Sequence, residues 1–145
     1  MRKRRFLYFA LGFFLLLLLA FSVFIFIRFS GYSDNLNLGD NYVVEVIDGD
    51  TFKLANGEAV RLICVDAPER NQSGYDDAKD YLNVLILNRE VRLESDLEDR
   101  DAYGRLLRYV YVGDVFVNRA LVRGGYASIF RYGNSTRLCD EIEGD

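Results

Sequence analysis

The sequence predicts a small closed β-barrel with helices, an α+β domain of the five-stranded OB type preceded by one transmembrane helix. Three observations support this prediction. Short strand-like runs are joined by Asp-Gly and Asn-Gly turns, which are strong hairpin signals. A helical repeat follows the third run, and an uncharged apolar stretch of 22 residues precedes the whole pattern. Five short antiparallel strands with a helix inserted after the third favour a closed Greek-key barrel.

The apolar stretch, residues 6–27, predicts a membrane segment. As a helix it would span roughly 33 Å at about 1.5 Å per residue, which is enough to cross a bilayer core. We expect an uncleaved signal anchor; the alternative is a cleaved secretory signal, whose apolar core is usually shorter. The basic segment 1–5 and the single Arg28 after the span predict a cytoplasmic N-terminus. The rest of the chain is therefore expected to face outward, as a single-pass membrane protein, or as a secreted one if the anchor is cleaved.

Residues 28–40, rich in Ser, Gly, Asn and Asp, are predicted to be a linker, and residues 41–145 a domain large enough for a small core. The first 28 residues hold five of the 18 basic residues and none of the 22 acidic ones. The outer part therefore carries 13 basic against 22 acidic residues, a net charge of −9. Such a domain should repel nucleic acid overall, because non-specific binding depends on neutralising phosphates.

The predicted domain begins with a meander of three strands. A helix follows from Tyr75 to Leu87, with apolar residues at helical spacing and Asp76 and Asp77 in its first turn. Two further strands flank an acidic loop, and a second helix from Val117 to Arg123 ends at a Gly-Gly pair. The predicted strands are Tyr42–Ile47, Thr51–Ala55, Ala59–Val65, Glu90–Glu94 and Leu106–Val112.

The two cysteines lie in different contexts, Cys64 in an apolar strand and Cys139 in a polar C-terminal stretch. In an oxidising compartment they could pair. We expect instead that Cys64 is a buried thiol and that Cys139 is unpaired, with a disulfide as the alternative.

The chain contains no histidine, so a Ser-His-Asp triad and a histidine-built zinc site are both excluded. Any catalysis must use carboxylates and arginines, with or without a bound metal. Carboxylates are concentrated in two short blocks, residues 46–52 and 61–69. Asp and Glu oxygens suit calcium or magnesium rather than zinc. A cation beside two arginine forks is what a phosphodiester would require.

Four blocks carry a family resemblance, and they occur in order between about Tyr42 and Ser128. They are Val-Ile-Asp-Gly-Asp-Thr, Arg-Leu-Ile-Cys-Val-Asp-Ala-Pro-Glu, Asp-Ala-Tyr-Gly-Arg and Val-Asn-Arg-Ala-Leu-Val-Arg-Gly-Gly-Tyr-Ala. In these blocks the chain resembles the staphylococcal nuclease (thermonuclease) family. The resemblance implies an OB-fold barrel with helices that uses calcium to hydrolyse DNA and RNA.

The resemblance also implies a calcium site. Asp50 and Asp66 match the family's calcium carboxylates, and the main-chain carbonyl of Ala67 matches a further ligand, although the family often has Thr there. Asp48 is expected to support the turn rather than bind the ion directly.

The same resemblance assigns catalytic roles. Glu69 matches the residue proposed to activate the attacking water, and Arg61 and Arg105 match the pair that grips the phosphate. Tyr103 is expected to stack against the nucleotide, which favours single-stranded DNA or RNA because stacking tolerates any base. Bidentate geometry makes replacement of either arginine by lysine non-conservative.

Two classes of function remain open. The first is a membrane-tethered, outward-facing, calcium-dependent nuclease that acts as a monomer. The alternative is a catalytically weak or inactive OB-fold module at the cell envelope that binds nucleic acid or calcium. The net charge of −9 and the short stretch after Ser135, where the family has its last helix, favour the alternative.

Overall fold

The computed structural model describes residues 17–19, 21–22 and 39–144. The chain divides into two compact units, Met1–Asn37 and Leu38–Asp145. Most of the expected membrane segment 6–27, the basic segment 1–5 and nearly all of the expected linker 28–40 lie outside the described residues. Within the described part of the chain, no helix is both long enough and apolar enough to cross a membrane.

The second unit is an α+β domain of eight short strands and three helices in its described part. The two helices predicted for this domain are confirmed almost to the residue, and the hairpins at Asp48–Asp50 and Asn56–Glu58 lie where their turn residues predict. In chain order the elements are β1 Val43–Val46, β2 Thr51–Leu54, β3 Ala59–Leu62, β4 Val65–Asp66, α1 Tyr75–Ile86, β5 Arg92–Glu94, β6 Leu106–Val112, β7 Val115–Phe116, α2 Val117–Arg123, β8 Ser128–Ile129 and α3 Cys139–Glu143.

The main sheet is mixed, which corrects the expectation of antiparallel strands throughout. Its order is β1-β2-β3-β6-β5, with β7 paired to β6. Neighbours are antiparallel except β3 and β6, which run parallel with Arg61 opposite Leu107. The cause is the long connection between them, since the chain passes through α1 and β5 and returns to β3 in the same direction.

The two ends of this sheet approach each other, as an OB-like barrel requires. An isolated antiparallel bridge joins Tyr42 to Glu90. The Val43 amide donates to the Arg89 carbonyl at 2.9 Å, and the Val91 amide donates to the Asn41 carbonyl at 3.1 Å. These bonds satisfy backbone groups of the edge strand β1, which would otherwise be exposed.

The third predicted strand, Ala59–Val65, is interrupted, and this is a second correction. β3 ends at Leu62, and β4 is a separate strand that pairs with β8. Between them Cys64 has φ 62°, a left-handed conformation that is rare for a residue other than glycine. The Asn118 side chain on α2 holds the break, because its amide donates to the Ile63 carbonyl at 2.9 Å. The chain therefore reverses, and Asp66 returns toward Arg61.

The two cysteines form a disulfide, so the expectation of a buried thiol and an unpaired one is wrong. Cys64 and Cys139 are both buried, and their Cα atoms are 5.4 Å apart. The polar sequence around Cys139 concealed a short helix, α3, whose Ile142 packs in the core with Ile63 and Tyr109. This second cluster of core residues lies beside the main one, which fills the barrel beneath α1.

Candidate active site

The first part of the site is the tight turn between β1 and β2. The Asp50 amide donates to Asp48 Oδ1 at 3.1 Å, so Asp48 supports the turn. Because Gly49 has no side chain, the turn can pack closely against Ala67 and Ala78. A Cβ at this position would lie 2.6 Å from the Ala67 Cβ and 2.7 Å from the Ala78 Cβ. The turn is therefore pressed between the loop after β4 and helix α1.

Asp50 is the buried carboxylate of the site, with 7% of its surface exposed. Its Oδ2 accepts the Ala67 amide at 2.9 Å and its Oδ1 accepts the Thr51 hydroxyl at 2.9 Å. Burial raises the pKa of Asp50 to about 6, although the nearby Arg61 and these two hydrogen bonds favour its ionised form. A positive charge placed beside Asp50 therefore stabilises its ionised form.

Arg61 joins the two predicted metal carboxylates. Its Nη2 lies 3.1 Å from Asp50 Oδ2 and 3.4 Å from Asp66 Oδ1. Its Nη1 donates to the Leu62 carbonyl at 3.1 Å and to the Val65 carbonyl at 2.5 Å. One guanidinium thus spans the break between β3 and β4 and brings together carboxylates that are 16 positions apart in sequence.

Arg105 is fixed by the turn that precedes β6. Asp101 Oδ1 accepts the amides of Tyr103 at 2.9 Å and Arg105 at 3.0 Å, while its Oδ2 accepts Arg105 Nε at 2.6 Å. Burial disfavours the charge on Asp101, but these hydrogen bonds outweigh it and hold its pKa below the usual range. Arg105 Nη1 also donates to the Thr51 hydroxyl at 3.3 Å, so Thr51 connects Arg105 to Asp50.

A cleft of about 290 Å³ lies beside Arg61, Asp101 and Arg105. Arg61 and Arg105 line it together with three aromatic side chains, Tyr103, Phe130 and Tyr132. Tyr103 is 86% exposed and its ring lies 5.4 Å from the Arg105 guanidinium carbon. The rings of Phe130 and Tyr132 stack with centroids 6.2 Å apart. The cleft therefore combines cationic groups with flat apolar surfaces, which suits a nucleotide.

Four predicted site residues, Asp50, Asp66, Ala67 and Glu69, lie outside the lining of this cleft. Ala67 is buried next to Asp50, and its amide is used in holding that carboxylate. Glu69 is exposed on the loop before α1, where its amide donates to Gln72 Oε1 at 2.8 Å. Glu69 is thus anchored through its backbone while its carboxylate faces solvent.

The donors around Asp50 fit a hard divalent cation. Asp50 and Asp66 face the same guanidinium nitrogen from two different elements, and carboxylate and carbonyl oxygens are the ligands that calcium prefers. In the described part of the chain, no group of three or more Asp, Glu, His or Cys side chains is placed to hold a metal. Two carboxylates would therefore need main-chain oxygen, such as the Ala67 carbonyl, and water to complete a calcium site.

Comparison with known families decides the relationship. Residues 59–143, more than half of the chain, match the family described as staphylococcal nuclease homologue. The chain belongs to the staphylococcal nuclease family. The matched region contains Arg61, Asp66, Glu69 and Arg105, whereas the turn with Asp50 precedes it.

Individual members of the staphylococcal nuclease family support the assignment. A thermonuclease of Staphylococcus intermedius is 40% identical over 99 residues, which cover 61% of this chain and 59% of that protein. A thermonuclease of Staphylococcus hyicus is 33% identical over 118 residues, covering 75% and 70% respectively. Endonuclease YncB of Bacillus subtilis is 36% identical over 110 residues, covering 68% and 52%. The chain thus spans between 52% and 70% of the length of these relatives.

Sequence reasoning missed several residues of this family member's cleft. Asp101 carries a signal that could have been used, because an Asp opening a turn that contains Gly104 commonly accepts the following amides. Thr51 follows Asp50 directly and could have been suspected for that reason. Phe130 and Tyr132 carry no local signal, since only the tertiary fold brings them to the cleft that Tyr103 also lines.

Proposed function

We propose that this protein is a calcium-dependent nuclease that hydrolyses phosphodiester bonds of DNA or RNA, with single strands favoured. Support comes from family membership and from relatives named thermonuclease and endonuclease. The observation that carries the proposal is the position of Arg61, whose guanidinium contacts both Asp50 and Asp66 and also lines the cleft. Carboxylates for a cation and guanidinium groups for a phosphate are thereby adjacent.

The chain's own residues have distinct tasks in this proposal. Arg105, held by Asp101 and Thr51, donates hydrogen bonds to phosphate oxygens and stabilises the charge that grows on them. Arg61 adds a second positive charge and keeps Asp50 and Asp66 together. A pair of fixed guanidinium forks orients the phosphate as well as neutralising it.

The remaining two tasks, polarising the phosphate and activating the attacking water, belong to the cation and to Glu69. A bound calcium would polarise a phosphoryl oxygen and offset the charge of Asp50 and Asp66. Glu69 accepts the proton of the attacking water, because it is the exposed carboxylate on the loop that follows Ala67.

The aromatic side chains orient the substrate. Tyr103 offers an exposed ring beside Arg105, and Phe130 and Tyr132 line the same cleft as a stacked pair. Unpaired bases can stack on such surfaces, whereas the bases of a duplex are already stacked on each other. The cleft thus favours single strands.

The test is a digest of labelled single-stranded DNA and RNA with the purified full-length chain, in calcium and in chelator. The variants Glu69→Gln and Arg105→Ala accompany it. We expect cleavage that requires calcium and falls by about 10²- to 10³-fold in Arg105→Ala, as when one transition-state donor is removed. Cleavage that is undiminished in both variants would overturn the proposal.

A second candidate function is a binding module that has kept the barrel and lost turnover. The net charge of −9 beyond residue 28 and the modest set of carboxylates favour it. Retained oligonucleotide binding with no cleavage at any calcium concentration would select this candidate. Calcium binding without oligonucleotide binding would select a calcium-binding module.

We also propose that the domain faces outward on a single-pass anchor, residues 6–27, as a monomer. The apolar run and its basic flank support the anchor, and the Cys64–Cys139 disulfide suits an oxidising compartment. Protease added to intact cells should remove the domain and leave the N-terminal segment protected. Protection of the domain would contradict this topology, and light scattering of the purified protein tests the monomer.

A further inference from the structure

The disulfide joins the C-terminal helix to the wall of the cleft. Cys64 lies between Arg61 and Asp66 in the chain, and it lines the cleft itself. The φ angle of Cys64 is 62°, which residues other than glycine rarely adopt, so neighbouring contacts must hold this backbone conformation. The bond to Cys139 is one such contact, and the hydrogen bond from the Phe130 amide to the Cys64 carbonyl, 3.1 Å long, is another.

The position of Asp66 and the position of the aromatic pair Phe130 and Tyr132 depend on one C-terminal segment, residues 128–143. Strand β8 is the partner of β4, with Ser128 opposite Asp66, so it positions a proposed cation ligand. The residues that follow β8 include Phe130 and Tyr132, which form the aromatic wall. Any element that holds this segment against the barrel therefore sets Asp66 and the aromatic wall together.

Helix α3 is too short to hold this segment through its own helical structure. It has five residues, and isolated helices of that length are not stable in water. Its docking depends on buried Ile142, on the ion pairs of Arg131 with Asp140 at 2.7 Å and Glu143 at 2.6 Å, and on the disulfide. Exposed ion pairs contribute little. The residues before α3 also bond to the barrel, since the Arg137 amide donates to Asp96 Oδ2 at 3.0 Å and the Leu138 amide donates to the Tyr109 hydroxyl at 3.1 Å. The disulfide adds a covalent attachment to these contacts.

We propose that the Cys64–Cys139 disulfide positions the cleft, so that the protein is active when oxidised and weakened when reduced. An external dithiol supplies two electrons and two protons; the S–S bond breaks, Cys64 and Cys139 become thiols, and the dithiol becomes its own disulfide. The C-terminal segment then loosens, β4 loses its partner β8, and Asp66 and Phe130 leave their positions. The catalytic consequence rests on the proposed nuclease activity, whereas the structural consequence does not.

The experiment compares the oxidised full-length chain, the same chain in dithiothreitol, and Cys139→Ala with and without dithiothreitol. Cys139→Ala is the matched variant, because it removes the bond and leaves Cys64 in the cleft. Two measurements are made: kcat and KM on a single-stranded oligonucleotide in calcium, and amide hydrogen exchange at Phe130 and at Val110, whose amide donates to Asn118 Oδ1 in the core at 2.9 Å.

We expect reduction to lower kcat/KM at least tenfold and to speed exchange at Phe130 at least tenfold, while Val110 stays protected. Cys139→Ala should match the reduced protein and be insensitive to dithiothreitol. The proposal is overturned if kcat/KM and the Phe130 exchange rate stay within twofold on reduction. It is also overturned if Phe130 exchanges no faster than Val110 in the reduced protein, because the bond would then only stabilise the fold as a whole.

The two proposals fail separately. If the oxidised chain does not cleave either nucleic acid, the proposed function fails. The contrast between Phe130 and Val110 exchange then decides by itself whether the disulfide positions the cleft.

Discussion

The Asp101→Asn substitution isolates the role of Arg105 orientation. Asparagine keeps the shape of the side chain and can still accept the amides of Tyr103 and Arg105 at Oδ1. Its amide group stands where Oδ2 accepts Arg105 Nε at 2.6 Å, and an amide nitrogen cannot accept that proton. Arg105 therefore loses its main partner and keeps only the 3.3 Å contact with Thr51.

The expected magnitude follows from that lost bond. A hydrogen bond to a charged group contributes about 1.5–3 kcal/mol, and the Asp101 side chain is largely buried. If this energy holds Arg105 in its cleft orientation, its loss should lower kcat/KM by about 10- to 150-fold, at roughly 1.4 kcal/mol per tenfold. The loss should be smaller than in Arg105→Ala, because the guanidinium is still present.

The assay is steady-state cleavage of a single-stranded oligonucleotide in saturating calcium, together with thermal unfolding. Asp99→Asn is the matched control, because Asp99 also pairs with an arginine at 2.6 Å, Arg108, and neither residue lines the cleft. We expect the control to retain kcat/KM within twofold. The reasoning is refuted if Asp101→Asn also stays within twofold, or if both variants lose activity equally.

Three further predictions concern packing and stability. Gly49→Ala should destabilise the domain by about 1–3 kcal/mol, because the added Cβ would overlap those of Ala67 and Ala78. Calorimetry of the same variant should show weaker calcium binding. Unchanged stability and unchanged calcium binding would contradict the prediction. Burial raises the pKa of Tyr109 to about 12. The contribution of Tyr109 to stability is therefore complete below about pH 10 and is lost as the pH rises toward 12. Denaturant unfolding should show that Tyr109→Phe removes this part of the alkaline loss of stability, and an unchanged pH profile of stability would count against the prediction. Reducing the disulfide, whose cysteines are 75 residues apart, should lower the free energy of unfolding by about 4.5 kcal/mol on the loop-entropy account. A loss below about 1 kcal/mol in the same assay would contradict that account.

Local signals predicted most of the fold. Asp-Gly and Asn-Gly placed the first two hairpins, and apolar residues at helical spacing placed α1 and α2 nearly to the residue. The errors arose where distant segments decide the structure. The break after Leu62 depends on Asn118 and Cys139, which lie far along the chain. In sequence alone, the run through Val65 was indistinguishable from one long buried strand.

In the candidate site, too, local motifs identified residues, whereas contacts between distant segments were not predicted. The family's motifs predicted Asp50, Asp66, Arg61 and Arg105, and the fold brings the first three into direct contact. No motif showed that Arg61 would pair with both carboxylates, because that contact depends on the reversal at Cys64. Phe130 and Tyr132 were missed for a similar reason, since their position depends on β8, which they follow in the chain.

The central claim is that Asp50 and Asp66 form the cation site on which cleavage depends. Its most direct test is a calcium titration of single-stranded DNA cleavage by the full-length chain, alongside Asp66→Asn and the surface control Asp99→Asn. The account predicts that Asp66→Asn shifts half-maximal activity to at least tenfold higher calcium, while the control matches the unmodified protein. Cleavage that persists in chelator, or an unshifted titration in Asp66→Asn, would contradict it.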